Sequence, residues 1–243
     1  MKQRLDVEMA HRGLVATRSQ AESYIKLGWV QVNGEVITKP GSQASDTDNI
    51  RLTAAEQYVS RAALKLASVA KILGVDFRGK TILDVGSSTG GFTDYALQHG
   101  AIRSIAVEVG RDQLHPSLRD DPRIELHEQT DIRDFGPEHL SGQAIDIVVA
   151  DVSFVSLREI LPFVMTLCTQ KTDIVAMVKP QFEAGAIHLK HKGVIKNDKM
   201  RRDILKDFEA WAGRHFKIAD KADSEISGAR GNLERFYVLK VLK

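Results

Sequence analysis

Two charged residues occupy positions at which they could carry out chemistry together. Asp151 and Lys179 each follow an apolar run directly, and Lys65 belongs to an amphipathic segment before the first of these runs. Open α/β sheets bind ligands at the carboxyl ends of their strands, so Asp151 and Lys179 are expected at the ligand edge of such a sheet. A charge at the end of a buried strand is costly unless it is paired. The pattern therefore indicates either a catalytic cluster or a structural ion pair between Lys179 and Asp151.

A glycine-rich turn lies upstream of this cluster. In the segment TILDVGSSTGGFTDYAL an apolar strand ends near Asp84 and a helix begins near Phe92. Glycines in such a turn let the backbone approach a ligand, and the start of a helix offers free N–H donors. The spacing departs from GxGxxG, which makes a dinucleotide pyrophosphate loop less favoured. The candidate cofactor-binding residues of this turn are Asp84, Gly86, Ser87, Ser88, Gly90, Gly91, Phe92 and Thr93.

Two acids beyond the turn extend the cofactor pattern. Glu108 ends the next strand candidate, where an acid can bind both hydroxyls of a ribose. Asp131 follows the third strand candidate, where it could accept a hydrogen bond from the exocyclic amine of an adenine. The acids and the turn suit an adenosyl ligand without phosphates; the alternative is a structural turn with two solvated acids. The further candidate cofactor-binding residues are Glu108, Val109, Asp131, Ile132 and Asp151.

The elements that would position these residues are alternating strands and helices. Seven short apolar runs, the first beginning at Thr81 and the last ending at Val241, alternate with helical patterns. Such alternation predicts an α/β fold in which helices cover both faces of a mostly parallel, seven-stranded sheet. We predict that this Rossmann-like domain spans residues 60–243, after a linker at residues 56–59.

Residues 1–55 have a different pattern, which predicts a separate, small α+β domain. Apolar residues at helical spacing run from Arg4 to Leu27, and a break at Gly13 divides them into two short helices. Asn33 and Gly34, between two alternating runs, are typical of a β-hairpin. Residues 1–57 contain seven basic and seven acidic residues, so this part of the chain has no net charge.

Composition limits the classes of protein to which the chain can belong. The formal net charge is only +2, and Cys168 is the single cysteine. One cysteine excludes a disulfide framework and argues against a cysteine-based zinc site, so we expect no metal. The N-terminus lacks the apolar region of a signal peptide, and no stretch approaches the roughly 20 apolar residues that cross a bilayer. We therefore expect a soluble cytoplasmic protein without a membrane contact or a stable protein partner.

Five motifs occur in a fixed order: YVSRAALKL, LDVGSSTGGFTD, VADVSFVSL, VKPQFE and GNLERF. In these motifs, and over essentially its full length, the chain resembles the TlyA family, often labelled hemolysin A. Its N-terminal part resembles the S4 RNA-binding fold, and its C-terminal part resembles the FtsJ-type RNA 2′-O-methyltransferases. The resemblance implies S-adenosylmethionine as the cofactor and a catalytic Lys-Asp-Lys-Glu tetrad at Lys65, Asp151, Lys179 and Glu234.

The sequence departs from the family pattern at two places near the tetrad. Ala62 stands where a glycine is frequent, and Arg235 follows Glu234 where an apolar or aromatic residue is more usual. Neither departure removes a tetrad group, although the second is expected to alter the packing around Glu234.

The chemistry that the resemblance implies is attack of a ribose 2′-hydroxyl on the methyl group of a sulfonium. A hydroxyl is a poor nucleophile unless its proton is taken or strongly polarised. Lys179 is the candidate base; as an ammonium it would instead orient the hydroxyl and stabilise the developing negative charge. The sequence leaves these two roles open.

The resemblance also implies contacts to RNA in both parts of the chain. In the N-terminal domain the candidates are Arg4, Arg12, Arg18 and Lys26, with solvated surface charge as the alternative. Arg12, Arg18 and Lys26 could lie on one helical face. Residues 188–206 contain seven basic and two acidic residues, a net charge of +5, directly after VKPQFE. This segment is expected to rim the active site and grip phosphates without reading sequence. Its candidate RNA contacts are Lys190, Lys192 and Lys196.

The implied substrate is cytidine in ribosomal RNA, either free or in a ribosomal subunit. Family members that act on both subunits tend to have extra residues after the last strand. Here the chain ends at Lys243, directly after the last strand-like run. We therefore expect a preference for large-subunit 23S rRNA, and 16S rRNA remains a possible second substrate. The alternatives are a non-catalytic RNA-binding protein and a membrane-active hemolysin, although no amphipathic lytic helix or membrane span is visible.

Overall fold

The computed structural model describes residues 2–15, 17–53, 58–185, 193–195, 197–228 and 231–242. The N-terminal domain consists of two helices and two small antiparallel sheets. Its elements are β1 (Lys2–Arg4), α1 (Leu5–His11), α2 (Arg18–Lys26), β2 (Val30–Val32), β3 (Glu35–Val36), β4 (Gln43–Ser45) and β5 (Ile50–Leu52). Strand β1 pairs with β4, and the other sheet has the order β3-β2-β5. The two predicted helices and the hairpin are present, whereas the β1–β4 pair was not predicted because three-residue strands carry no clear alternation.

The rest of the described chain alternates strands with helices. Its elements are α3 (Arg61–Ala70), β6 (Thr81–Val85), α4 (Gly91–Gln98), β7 (Arg103–Val107), α5 (Pro116–Arg119), β8 (Ile124–His127), β9 (Ile147–Ala150), α6 (Leu157–Thr166), β10 (Asp173–Val178), α7 (Pro180–Glu183), α8 (Asp198–Ala212), β11 (Phe216–Asp223) and β12 (Arg235–Val241). The seven strands form one sheet with the order β11-β12-β10-β9-β6-β7-β8. Strands β6 to β10 run parallel, and β12 is antiparallel to both β10 and β11. The predicted fold class, a mostly parallel seven-stranded sheet, is confirmed.

Two apolar layers cover the faces of the sheet. Successive side chains of a strand point to opposite faces, and on β6 Ile82 packs in one layer while Leu83 packs in the other. Helices α3 and α4 cover the first face, and α6 and α8 cover the second. The first layer continues into the N-terminal domain through Tyr24 and Tyr58, and α2 contacts α3. The helix that carries Lys65 is therefore packed between the sheet and the N-terminal domain.

Two element boundaries differ from the sequence-based expectation. Strand β7 ends at Val107, so Glu108 lies just beyond the strand rather than at its last position. Strand β11 extends to Asp223, four residues beyond the strand predicted at Phe216–Ala219, with an irregular register between Ile218 and Asp220. The added part of β11 is polar because it lies at the edge of the sheet, and apolar patterning therefore did not reveal it.

Candidate active site

A cavity of about 580 Å³ lies at the carboxyl ends of β6, β7 and β9. This is the edge at which parallel α/β sheets bind ligands. Seven predicted cofactor residues line the cavity: Gly86, Ser88, Glu108, Val109, Asp131, Ile132 and Asp151. The other six do not belong to its lining: Asp84, Ser87, Gly90, Gly91, Phe92 and Thr93.

The carboxylate of Glu108 is held in a defined orientation inside this cavity. Its Oε2 accepts a hydrogen bond from the Ser88 backbone N at 2.9 Å, and its Oε1 accepts one from the Gly110 N at 2.7 Å. The residue is buried. Each carboxylate oxygen can accept a second hydrogen bond, so the fixed carboxylate can still bind two neighbouring ribose hydroxyls.

The carboxylate of Asp131 already accepts hydrogen bonds from a neighbouring side chain. Arg133 donates to both of its carboxylate oxygens, with Nε at 3.0 Å from Oδ1 and Nη2 at 2.6 Å from Oδ2. Both residues line the cavity. Hydrogen bonds from the Arg133 side chain lower the pKa of Asp131 below its usual value. An adenine amine would therefore share this carboxylate with Arg133, which the sequence pattern did not indicate.

Asp84 lies behind the cavity and joins the glycine-rich turn to β6. Its Oδ2 accepts hydrogen bonds from the backbone N of Thr93 at 3.0 Å and from Thr93 Oγ1 at 2.7 Å. Its Oδ1, like the buried Ser87 Oγ, has no hydrogen-bond partner among the described residues. Burial raises the pKa of Asp84 to about 7, against the two hydrogen bonds from Thr93. Thr93 therefore orients Asp84 and does not itself face the ligand.

The raised pKa of Asp84 predicts a pH-dependent stability. Between about pH 4 and pH 7 the unfolded chain loses the Asp84 proton that the folded protein keeps, so stability falls as pH rises. The free energy of unfolding can fall by at most roughly 4 kcal/mol over these three pH units. In urea unfolding of the cofactor-free protein, Asp84→Asn should gain stability relative to wild type between pH 5 and pH 8. The control is Asp120→Asn, at an exposed aspartate, and its free energy of unfolding should vary with pH as that of the wild type does. If the free energy of unfolding of Asp84→Asn also varied with pH as that of the wild type does, burial would not raise the pKa of Asp84.

Close packing explains two of the glycines in the turn. A Cβ on Gly86, whose φ is +78°, would lie 3.2 Å from the carbonyl oxygen of Asp151. A Cβ on Gly91 would lie 3.0 Å from the backbone N of Ala63. Gly86 thus lets the loops after β6 and β9 meet at the cavity, and Gly91 lets α4 pack directly on α3, two residues before Lys65. Phe92 packs inward on Phe236 and does not reach the cavity.

The four predicted tetrad residues meet in two ion pairs. Lys179 Nζ lies 2.6 Å from Asp151 Oδ1, and Lys65 Nζ lies 2.6 Å from Glu234 Oε2. Burial raises the pKa of Glu234 above its usual value, which Lys65 opposes. The charges of Asp151 and Lys179 also act on Glu234, so the two pairs are neighbours. The ion pair between Lys179 and Asp151, which the sequence offered as the alternative to a catalytic cluster, is present, and Asp151 lines the cavity.

Arg235, one of the departures from the family pattern, points away from the tetrad. Its guanidinium binds Asp223 on the neighbouring strand β11, with Nε at 2.6 Å from Oδ1 and Nη2 at 3.0 Å from Oδ2. Glu234 is instead held through its backbone, whose oxygen accepts from Ser224 N at 3.0 Å. The expected disturbance of Glu234 by Arg235 is therefore not seen.

The predicted RNA-binding residues of the N-terminal domain differ in their surroundings. Arg4 and Arg18 are about half exposed and bind the fully buried Asp6. Burial raises the pKa of Asp6, but the hydrogen bonds from both arginines outweigh it and lower the pKa to about 2. Arg12 lies after α1 and binds Glu8 and two backbone carbonyls within the domain, so it does not share a helix with Arg18 and Lys26. Lys26 is exposed, and Lys190, Lys192 and Lys196 lie outside the described residues.

Residues 152–155 also line the cavity and were not predicted. Ser153 Oγ accepts a hydrogen bond from Lys179 Nζ at 2.6 Å. Phe154 is 91% exposed, has a positive φ of 68°, and lies with its ring centroid 5.3 Å from that of Phe182. The available signal was their position directly after Asp151, at the carboxyl end of β9.

The fold and the cavity define an α/β enzyme with a site for an adenosyl cofactor. Glu108 suits the ribose hydroxyls, Asp131 offers an acceptor that an adenine amine would share with Arg133, and Gly86 lets the loops after β6 and β9 meet at the cavity. Residues 58–241 match the family described as FtsJ-like methyltransferase, and residues 3–50 match the S4 domain. The chain belongs to the FtsJ-like methyltransferase family, in the group whose members are named TlyA or hemolysin A. S-adenosylmethionine is therefore its cofactor.

Three related proteins illustrate the similarity. The Mycobacterium tuberculosis protein named 16S/23S rRNA (cytidine-2′-O)-methyltransferase TlyA is 36% identical, over 98% of this chain and 89% of its own length. The Campylobacter jejuni protein named 23S rRNA (cytidine-2′-O)-methyltransferase TlyA is 41% identical, over 79% of this chain and 74% of its own length. A solved Streptococcus thermophilus structure named as a hemolysin has a TM-score of 0.73 and 34% identity, covering 100% of this chain and 89% of that one. Within the described ranges of this chain, no helix is both long and apolar enough to cross a membrane.

Proposed function

We propose that this chain methylates the ribose 2′-hydroxyl of cytidine in ribosomal RNA, with 23S rRNA as the main substrate. The observation that carries the proposal is the pair of 2.6 Å lysine–carboxylate contacts, Lys179–Asp151 and Lys65–Glu234, of which Asp151 lines the cofactor cavity. Two relatives that cover most of this chain have names that include cytidine 2′-O-methylation of 23S rRNA. Methylation of 16S rRNA as well is part of one of those names.

The residues act mainly by holding the acceptor hydroxyl in line with the methyl group. S-adenosylmethionine supplies the methyl group on a positively charged sulfur. Lys179, paired with Asp151, acts as an ammonium that donates to the acceptor oxygen and stabilises negative charge developing there. Lys65 and Glu234 form the neighbouring pair, so charge around the acceptor stays balanced. Holding two reactants in place supplies most of the acceleration in such a transfer.

Recognition of RNA would use the exposed groups around this site. Arg4, Arg18 and Lys26 of the N-terminal domain are exposed enough to contact phosphates. Phe154 presents an open aromatic ring at the cavity, and RNA-binding proteins stack unpaired bases on such rings. Structured RNA fits a small binding domain whose helix α2 packs against helix α3 of the catalytic domain. The enzyme would act in the cytoplasm, on rRNA or on a ribosomal subunit.

The test is a map of 2′-O-methyl groups in both rRNAs, measured by mass spectrometry in cells with and without the gene. We expect a methylated cytidine in 23S rRNA that disappears with the gene. Wild-type protein should restore it, and Lys179→Ala should not. If the only methyl group lost with the gene lay in 16S rRNA, or at a nucleotide other than cytidine, then cytidine in 23S rRNA would be excluded as the substrate.

A further inference from the structure

Ser153 is a hydroxyl in direct contact with the tetrad. Its Oγ accepts a hydrogen bond from Lys179 Nζ at 2.6 Å, a distance equal to that between Nζ and Asp151 Oδ1. The residue lies in the loop after β9, two positions beyond Asp151, and belongs to the lining of the cavity. Lys179 therefore has a neutral partner as well as its charged one.

Exposure separates the three groups in this contact. Lys179 is only 9% exposed, and Asp151 is partly buried. Ser153 is exposed and faces the cavity. A molecule that approaches Lys179 from the cavity therefore meets the hydroxyl of Ser153 beside the ammonium.

The hydrogen-bonding capacity of both groups is only partly used. An ammonium has three donors. Ser153 Oγ uses one, and Asp151 Oδ1 is an ion-pair partner at 2.6 Å, so at least one donor remains. A serine hydroxyl has two acceptor positions and one donor, and Lys179 uses one acceptor position. A hydroxyl held between Lys179 and Ser153 could accept from Nζ and donate to Oγ at once. Two such bonds fix its direction and leave an oxygen lone pair free.

We propose that Ser153 is a catalytic residue of the methyl transfer, whose Oγ orients Lys179 and accepts a hydrogen bond from the acceptor ribose hydroxyl. The inference rests on the proposed RNA methylation and adds a group that contacts the substrate. The acceptor oxygen forms the new C–O bond while the C–S bond breaks, and the electron pair of that bond stays on sulfur. The hydroxyl proton passes to Ser153 Oγ while Ser153 releases its own proton to solvent water at the open side of the cavity. Ser153 therefore ends as a neutral hydroxyl.

The test compares Ser153→Ala with Ser153→Thr in the full-length protein, with unmethylated 23S rRNA as the substrate. We expect Ser153→Ala to lower kcat about tenfold, the lower end of what a hydrogen bond to a charged group contributes. The KM for rRNA, the calorimetric affinity for S-adenosylhomocysteine and the melting temperature should stay at wild-type values. Ser153→Thr keeps the hydroxyl and should retain a kcat within about threefold of wild type. The control Ser141→Ala, at an exposed serine outside the cavity lining, should resemble wild type.

Three results would overturn the inference. One is a wild-type kcat in Ser153→Ala. Another is an equal loss in the alanine and threonine variants. A third is a loss of kcat accompanied by lower cofactor affinity or melting temperature, which would assign Ser153 a purely structural role. Failure of the proposed function is distinguishable, because the wild-type protein itself would then methylate no rRNA.

Discussion

Replacing Lys179 by alanine is expected to reduce methyl transfer at least ~1000-fold while the affinity for S-adenosylhomocysteine stays near that of wild type. In the proposed mechanism the ammonium contacts the acceptor oxygen, and such a contact matters most in the transition state. Lys179 does not belong to the cavity lining that holds the cofactor, so the cofactor should bind as before. The measurements are incorporation of tritiated methyl groups into rRNA and calorimetric titration with S-adenosylhomocysteine.

The same substitution has a structural cost that must be measured separately. Removing Lys179 leaves the partly buried Asp151 without its ion-pair partner, and an unpaired carboxylate in such a place is destabilising. The melting temperature should therefore fall although the protein still folds. Lys171→Ala is the matched control, because Lys171 is an exposed lysine just before the opposite end of the same strand, β10. Near-wild-type methylation by Lys179→Ala would refute the proposed mechanism.

Replacing Glu108 by alanine is expected to weaken binding of S-adenosylmethionine and S-adenosylhomocysteine about 100-fold. The substitution removes two charged hydrogen bonds to ribose hydroxyls, each of which contributes about 1.5 kcal/mol or more. It also releases the backbone N–H groups of Ser88 and Gly110, which Glu108 holds at 2.9 and 2.7 Å. Calorimetric titration gives the affinity directly, and kcat at saturating cofactor should change much less.

Two further variants help to separate the contact of Glu108 with the ribose from its hydrogen bonds to the backbone of Ser88 and Gly110. Glu108→Gln keeps one carbonyl acceptor and the side-chain shape, so its affinity should lie between those of wild type and Glu108→Ala. Glu138→Ala removes an exposed acid outside the cavity and should bind the cofactor like wild type. Unchanged affinity in Glu108→Ala would show that the ribose assignment is wrong.

The sequence by itself was sufficient to predict the fold class and to select the four charged residues that form the two ion pairs. Strand and helix patterns are local, because the direction of each side chain follows from its position in its own element. Alternation of the two patterns is therefore enough to predict a parallel sheet covered on both faces, as the buried alternation at Ile82 and Leu83 illustrates. The glycine-rich turn and the end of β9 could be located in the same way, whereas the end of β7 was placed one residue too late.

Side-chain partners and exposure were decided by the tertiary structure alone. Lys65 and Glu234 are 169 positions apart in the chain and meet only because α3 packs beside the segment that leads into β12. Asp84 accepts a hydrogen bond from Thr93, and Arg12 donates to backbone carbonyl groups of its own domain. Ser153 faces the cavity. At the end of a strand a shift of one position turns a side chain to the other face, and the packing of neighbouring loops selects its contacts. Those choices depend on residues far apart in the chain, so no local pattern contains them.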